Sequence, residues 1–247
     1  MEAGETPSGA SRELGAELDR IESAVDAGAT ALRRLGFWRA VALIKLDDEL
    51  IDRYADQVGR IDAKAFRAGV RIRLPVWLGI TLMLVAVVVG IVAVVFAVRA
   101  GADPEPDDVT AGAGLLVGAA AWAAGLHSLA HYLVGRAVGI RFTDLFVAFP
   151  PPPLPGLKTD YASYLRASPI ARAWMHASGA IATKLAPFIA LAFAPAAHAP
   201  GWAVAILLGF GIFQIATDVI FSTKASDWKK VKRELAVVKA RRSSVPN

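Results

Sequence analysis

From Val76 to Val98 the chain runs without a single charged residue. A helix rises about 1.5 Å per residue, so a block of that length covers the ~30 Å hydrocarbon core of a bilayer. No core in a chain of this size buries such a block on every side, and it commits the polypeptide to a membrane. Three further apolar blocks follow, at about 111–135, 174–194 and 202–221. The composition agrees: 55% of residues are hydrophobic and they are gathered into blocks rather than dispersed. The expected fold is all-α, a polytopic membrane protein with four transmembrane helices. Residues 1–73 form an N-terminal cytoplasmic helical region, 74–223 the transmembrane domain and 224–247 a basic cytoplasmic tail. The first 73 residues are polar and charged, so no cleavable signal peptide is expected.

The charges orient these spans. Arg60, Lys64, Arg67, Arg71 and Arg73 precede the first one, and Asp103, Glu105, Asp107 and Asp108 follow it. Arg136, Arg141, Lys158, Arg166 and Arg172 lie between the second and third, and eight Lys or Arg run from Lys224 to Arg242. Basic flanks stay on the cytoplasmic side, which predicts a multi-pass protein of the cell membrane with both termini cytoplasmic. The net charge of +5 is thereby assigned to membrane lipid headgroups, and no nucleic acid partner is expected. Trp77, Trp174 and Trp202 read as interfacial anchors, Trp122 as packing, and the run Pro150 to Pro153 as a stiff surface turn.

Residues 1–9 read as unstructured. Beyond them Leu14, Leu18, Ile21, Val25, Gly28, Leu32 and Leu35 step by alternating fours and threes, a heptad seam interrupted at Gly28. Ile51, Tyr54, Val58, Ile61 and Ala65 repeat the spacing. Two amphipathic helices are expected, packed as a hairpin on each other or on the membrane domain, with a cytoplasmic partner or a dimeric coiled coil as the alternative.

The second span carries His127 and His131. Four residues apart, they project from one helix face, the spacing at which two imidazoles grip one metal ion. With no cysteine in the chain, any metal is held by histidine and carboxylate. Counting back from Arg136 puts His131 about 7 Å and His127 about 13 Å from the cytoplasmic boundary. Asp218, the one acid within a span, lies about 9 Å deep by the same measure. These three residues make a zinc ligand set with the fourth position open to water. Lys184 lies about 18 Å along its helix from Arg172, too deep for a flanking anchor, and should pair with a carboxylate. Asp218 is its nearest candidate, and that pairing would leave a salt bridge and no metal. His176 and His198, near opposite ends of the third span, are expected to face headgroups or water. No phosphate loop, dinucleotide fingerprint or nucleophile–base arrangement is present.

In HSLAH (127–131), SGAIATK (178–184) and TDV (217–219), with the continuation AHYLVGRAVGIRFTDLFVAFP, the chain resembles the site-2 protease family of intramembrane zinc metalloproteases over about Leu115 to Val219. The resemblance implies a three-helix core, zinc on His127, His131 and Asp218, a small β-like segment on the cytoplasmic side and a transmembrane client protein. Thr183 stands at the family's asparagine position. Ser128 stands at the position of the family's general-base glutamate, and a hydroxyl of very high pKa cannot take the proton of metal-bound water. Asp144 and Asp160 are the remaining carboxylates that could reach in. The implied function is that of a catalytically inactive relative that binds or sequesters a membrane client. The alternatives are an active zinc-dependent intramembrane peptidase, or a non-enzymatic membrane adaptor with a Lys184–Asp218 pair and no metal.

Overall fold

The computed structural model describes residues 9–148, 154–220 and 226–243. The proline run 150–153, Lys224 with the residues around it, and residues 1–8 lie outside them. In chain order the elements are α1 (Gly9–Asp26), α2 (Phe37–Ile44), α3 (Asp48–Gly69), β1 (Arg73–Pro75), α4 (Val76–Gly101), α5 (Asp108–Ala137), β2 (Phe142–Ala148), β3 (Leu154–Thr159), α6 (Tyr161–Arg166), α7 (Pro169–Ala192), α8 (Gly201–Ile220) and α9 (Asp227–Ser243). They form two compact units. One takes the chain up to Leu74, Val138–Ile170 and the residues from Leu235; the other takes Pro75–Ala137 and Ala171–Glu234.

The first unit is built on the expected N-terminal periodicity. Leu14, Leu18, Ile21 and Val25 of α1 are buried, at the spacing of one helix face. The seam does not continue through Gly28, whose φ of +98° is a conformation that glycine adopts without penalty. Gly36, with φ +83°, then leads into α2, which buries Phe37, Val41 and Ile44. Asp47 caps α3 by accepting from the amides of Glu49 at 2.8 Å and Leu50 at 3.5 Å. From α3 come Ile51, Ala55, Val58, Ile61 and Ala65, so the N-terminal seam is covered by the chain's own helices, with Leu165 of α6 closing the cluster. Outside this core Glu22 accepts from Gln57 at 3.2 Å and faces Arg60 and Lys64 at 3.4 and 3.3 Å.

The all-α expectation is corrected in this unit by a three-stranded sheet in the order β1-β2-β3. The amide of Val147 donates to the carbonyl of Ile72 at 3.1 Å, and β2 pairs antiparallel with β3, Asp144 opposite Lys158 and Val147 opposite Pro155. Phe142, Thr143, Phe146 and Val147 are aromatic or β-branched, which suits a pleated surface, and Pro155 is tolerated because β3 is an edge strand. Lys158 forms an ion pair with the buried Asp62 of α3, and Asp160 is held by Arg141 at 2.9 Å.

In the second unit three helices among the described residues are long and apolar enough to cross a membrane: Val76–Gly101, Asp108–Ala137 and Gly201–Asp218. The stretch expected to be a further span, 174–194, lies largely in α7 and is not among them. His176, Ser178, Thr183 and Lys184 lower its apolarity, and it contains Pro187, which has no N–H to give the carbonyl of Thr183. Helices α4 and α5 approach closely through glycine: a Cβ on Gly114 would lie 2.8 Å from the carbonyl oxygen of Ala93, and one on Gly118 would lie 2.6 Å from a methyl of Val94. Trp122 packs in the core, as expected, and its indole N–H donates to the carbonyl of Val87 at 3.1 Å. The opposite face of α4, with Val85, Val88, Val92 and Phe96, is exposed, as a lipid-facing surface requires. His198 is exposed, and its Nδ1–H donates to the carbonyl of Gly101 at 2.7 Å.

Candidate metal centre

The i, i+4 spacing on α5 brings His127 and His131 edge to face, with ring centroids 4.7 Å apart. Their Nδ1 atoms are both committed as donors. That of His131 faces the carbonyl oxygen of Met175 at 2.6 Å, and a carbonyl can only accept. That of His127 lies 2.8 Å from Thr183 Oγ1, whose own proton goes to the carbonyl of Gly179 at 3.0 Å. The hydroxyl therefore accepts from the imidazole. When neutral, each ring keeps its lone pair on Nε2, and both Nε2 atoms point to the same carboxylate oxygen.

That oxygen is Oδ2 of Asp227, 3.3 Å from His131 Nε2 and 3.6 Å from His127 Nε2. Asp227 opens α9, where Ser226 accepts from the amide of Lys229 at 3.4 Å. Its other oxygen, Oδ1, accepts from Lys230 Nζ at 2.8 Å. Burial alone would raise the Asp227 carboxyl, but the hydrogen bond to His131 and the charge of Lys230 hold it well below the ordinary carboxylate range. The carboxylate is thus an anion facing both Nε2 atoms: a ring that is neutral with its proton on Nδ1 presents a lone pair there, and a ring protonated on both nitrogens donates to Asp227.

Three such donor atoms repel unless a proton or a cation stands among them. The ligand atoms of His127, His131 and Asp227 all lie within 4.8 Å of one another. Zinc bonds to imidazole and carboxylate are about 2.0–2.2 Å long, so the edge of a tetrahedral set is about 3.4 Å, matching the two separations to Asp227. Metal-bound histidines characteristically donate their remaining N–H to a carbonyl or similar acceptor, as both do here. The donor set fits a divalent ion of the zinc type. His131 and Asp227 are withdrawn from solvent, each with 13% of its side chain exposed, while His127 at 38% is the open side of the cluster. His176, expected at headgroup or water, lies half-buried beside His131 with ring centroids 6.4 Å apart.

Gly179 of α7 makes room for this arrangement. A Cβ there would come within 2.6 Å of two carbons of the His131 ring. Any side chain at 179 would displace the imidazole.

The third ligand predicted from sequence is corrected. Asp218 is not in the cluster: it forms an ion pair with Lys184 and accepts from Trp228 Nε1 at 2.9 Å. The pairing of Lys184 with Asp218 weighed from the sequence is present, yet the histidines have a carboxylate of their own. An ammonium deep in α7 draws Asp218 to itself, and Asp227 takes the place beside the imidazoles. In the sequence Asp227 reads only as an acid diluting a basic tail. The signal that could have found it is a Ser-Asp pair opening a helix just past a span. Ser128 is buried in α5, and among the described residues no further carboxylate joins the cluster. Asp144 and Asp160 belong to the first unit, Asp160 in its ion pair with Arg141.

Comparison of the chain with family models, with curated proteins and with solved structures returns no match.

Proposed function

We propose that this is a multi-pass membrane protein of the site-2-protease type that keeps a divalent-cation centre on His127, His131 and Asp227 and has lost the general base. It then holds a membrane-embedded client segment without cutting it. One observation carries the reading: two imidazoles with their Nδ1 atoms tied to acceptors turn both Nε2 atoms onto one half-buried carboxylate oxygen. A bound zinc would act as a Lewis acid and lower the pKa of a water, but hydrolysis also needs a group to take the proton, and Ser128 cannot.

The reading includes four spans, with α7 as the third. A helix with polar residues along one side is admissible in a bilayer when that side faces other helices. His131, Thr183, Lys184 and Asp218 engage partners within their own unit, which favours it. The basic flanks favour both termini on the cytoplasmic side and the cation near that surface.

The Lys184–Asp218 pair supports a second reading, a membrane adaptor with no metal. Elemental analysis of the full chain in lipid nanodiscs separates the two. One zinc per chain is expected, lost in His131→Ala and in Asp227→Ala, with no cleavage of client helices by the unmodified protein. Metal-free protein that cannot be loaded with zinc would leave the adaptor. Cleavage abolished by His131→Ala would make the chain an active peptidase.

A further inference from the structure

Asp227 is a ligand that arrives from outside the helix holding the histidines, so something must fix where it stands. The next residue does so. Trp228 donates its indole N–H to Asp218 Oδ2 at 2.9 Å, and the same oxygen is paired with Lys184. Asp218 is on α8 and Lys184 on α7, so the first turn of α9 is tied to both helices through a single carboxylate. The turn of α7 that supplies Lys184 also supplies Thr183, the acceptor for His127.

We infer that Asp218 is a positioning residue for the cation centre, acting through Trp228 to hold Asp227 Oδ2 against the two imidazoles, and that Lys184 serves to keep the Asp218 carboxylate aimed. This rests on the reading of His127, His131 and Asp227 as a divalent-cation site. It gives Lys184 and Asp218 a shared role, because a carboxylate within a span is costly unless paired, and pairing to Lys184 leaves its oxygen available to the indole. Groups that orient first ligands in this way typically contribute 10–100-fold to metal affinity.

The test uses the full chain in phosphatidylcholine nanodiscs, titrated with Co²⁺ and followed by its visible absorption, with Zn²⁺ competition to give affinity. If the unmodified chain binds no cation, the reading of the centre itself fails. If it binds one, Asp218→Ala and Trp228→Phe are expected to weaken binding 10–100-fold, with one Co²⁺ per chain and unchanged absorption bands, because no ligand has been removed. Asp227→Ala should instead alter the bands. The inference is overturned if Asp218→Ala changes the spectrum as a lost ligand would, or if either variant binds within about twofold of the unmodified chain. Trp228→Phe preserves an aromatic ring and decides the matter alone should Asp218→Ala fail to fold.

Discussion

Arg172 Nε donates to Glu234 Oε2 at 2.6 Å, with both side chains shut away from solvent, joining the first turns of α7 to the middle of α9. Burying two charges is costly, and their attraction offsets the cost only while both are present. Glu234→Ala removes the Glu234 carboxylate from beside a buried guanidinium and should destabilise the protein by about 3–5 kcal/mol. Replacing both residues with apolar side chains of similar volume should cost much less. Thermal unfolding of the two variants in detergent, followed by circular dichroism, checks the contrast.

Gly179 stands against the His131 ring, and Gly179→Ala should reduce zinc affinity at least about tenfold by pushing the imidazole off its Nδ1–Met175 hydrogen bond. The same substitution should lower the unfolding temperature, and that cost should vanish in a His131→Ala background, where the methyl has room. Thermal unfolding of the four chains of this double-mutant cycle distinguishes displacement of the ring from a general loosening of α7.

Phe37 is fully buried at the start of α2 in the core of the first unit. Phe37→Ala should cost about 3–5 kcal/mol, and Leu at the same position far less. The effect should fall on the unfolding of that unit, read by hydrogen exchange on α1 and α3, while the zinc content of the chain is unchanged.

The glycines of α5 that face α4 leave no room for side chains. Gly118→Leu should drive its new methyls into Val94 and the backbone of Gly90, separating the two helices at a cost on the order of 1–3 kcal/mol. Gly209→Leu, on α8 where a Cβ meets nothing within 4 Å, is the control and should be neutral. Detergent melting temperatures compare the two.

Much of this was legible in the sequence, for identifiable reasons. The stripe Ile51, Val58, Ile61 and Ala65 is buried as read, because a 3.6-residue period in apolar side chains has one economical use. The first apolar block is a helix from Val76, as its length requires. The pair His127 and His131 meets, because four residues on a helix fix the geometry locally. What escaped depends on distant partners. Short α2 has no period long enough to be recognised between Gly36 and Lys45. The β2–β3 pairing joins segments on either side of a proline run, which hides the alternation. Asp218 and Asp227 are both acids near the end of the last apolar block, and depth alone favours the first. Only the positions of Lys184 and Trp228 in space show that Asp218 is already taken.

Ninety-six residues of chain separate His131 from Asp227. As the ribosome reads toward the C-terminus, both imidazoles are made and inserted long before the carboxylate exists. The cluster is therefore completed only when α9 has been synthesised and docked, and a product that stops short of α9 carries the two histidines without this carboxylate.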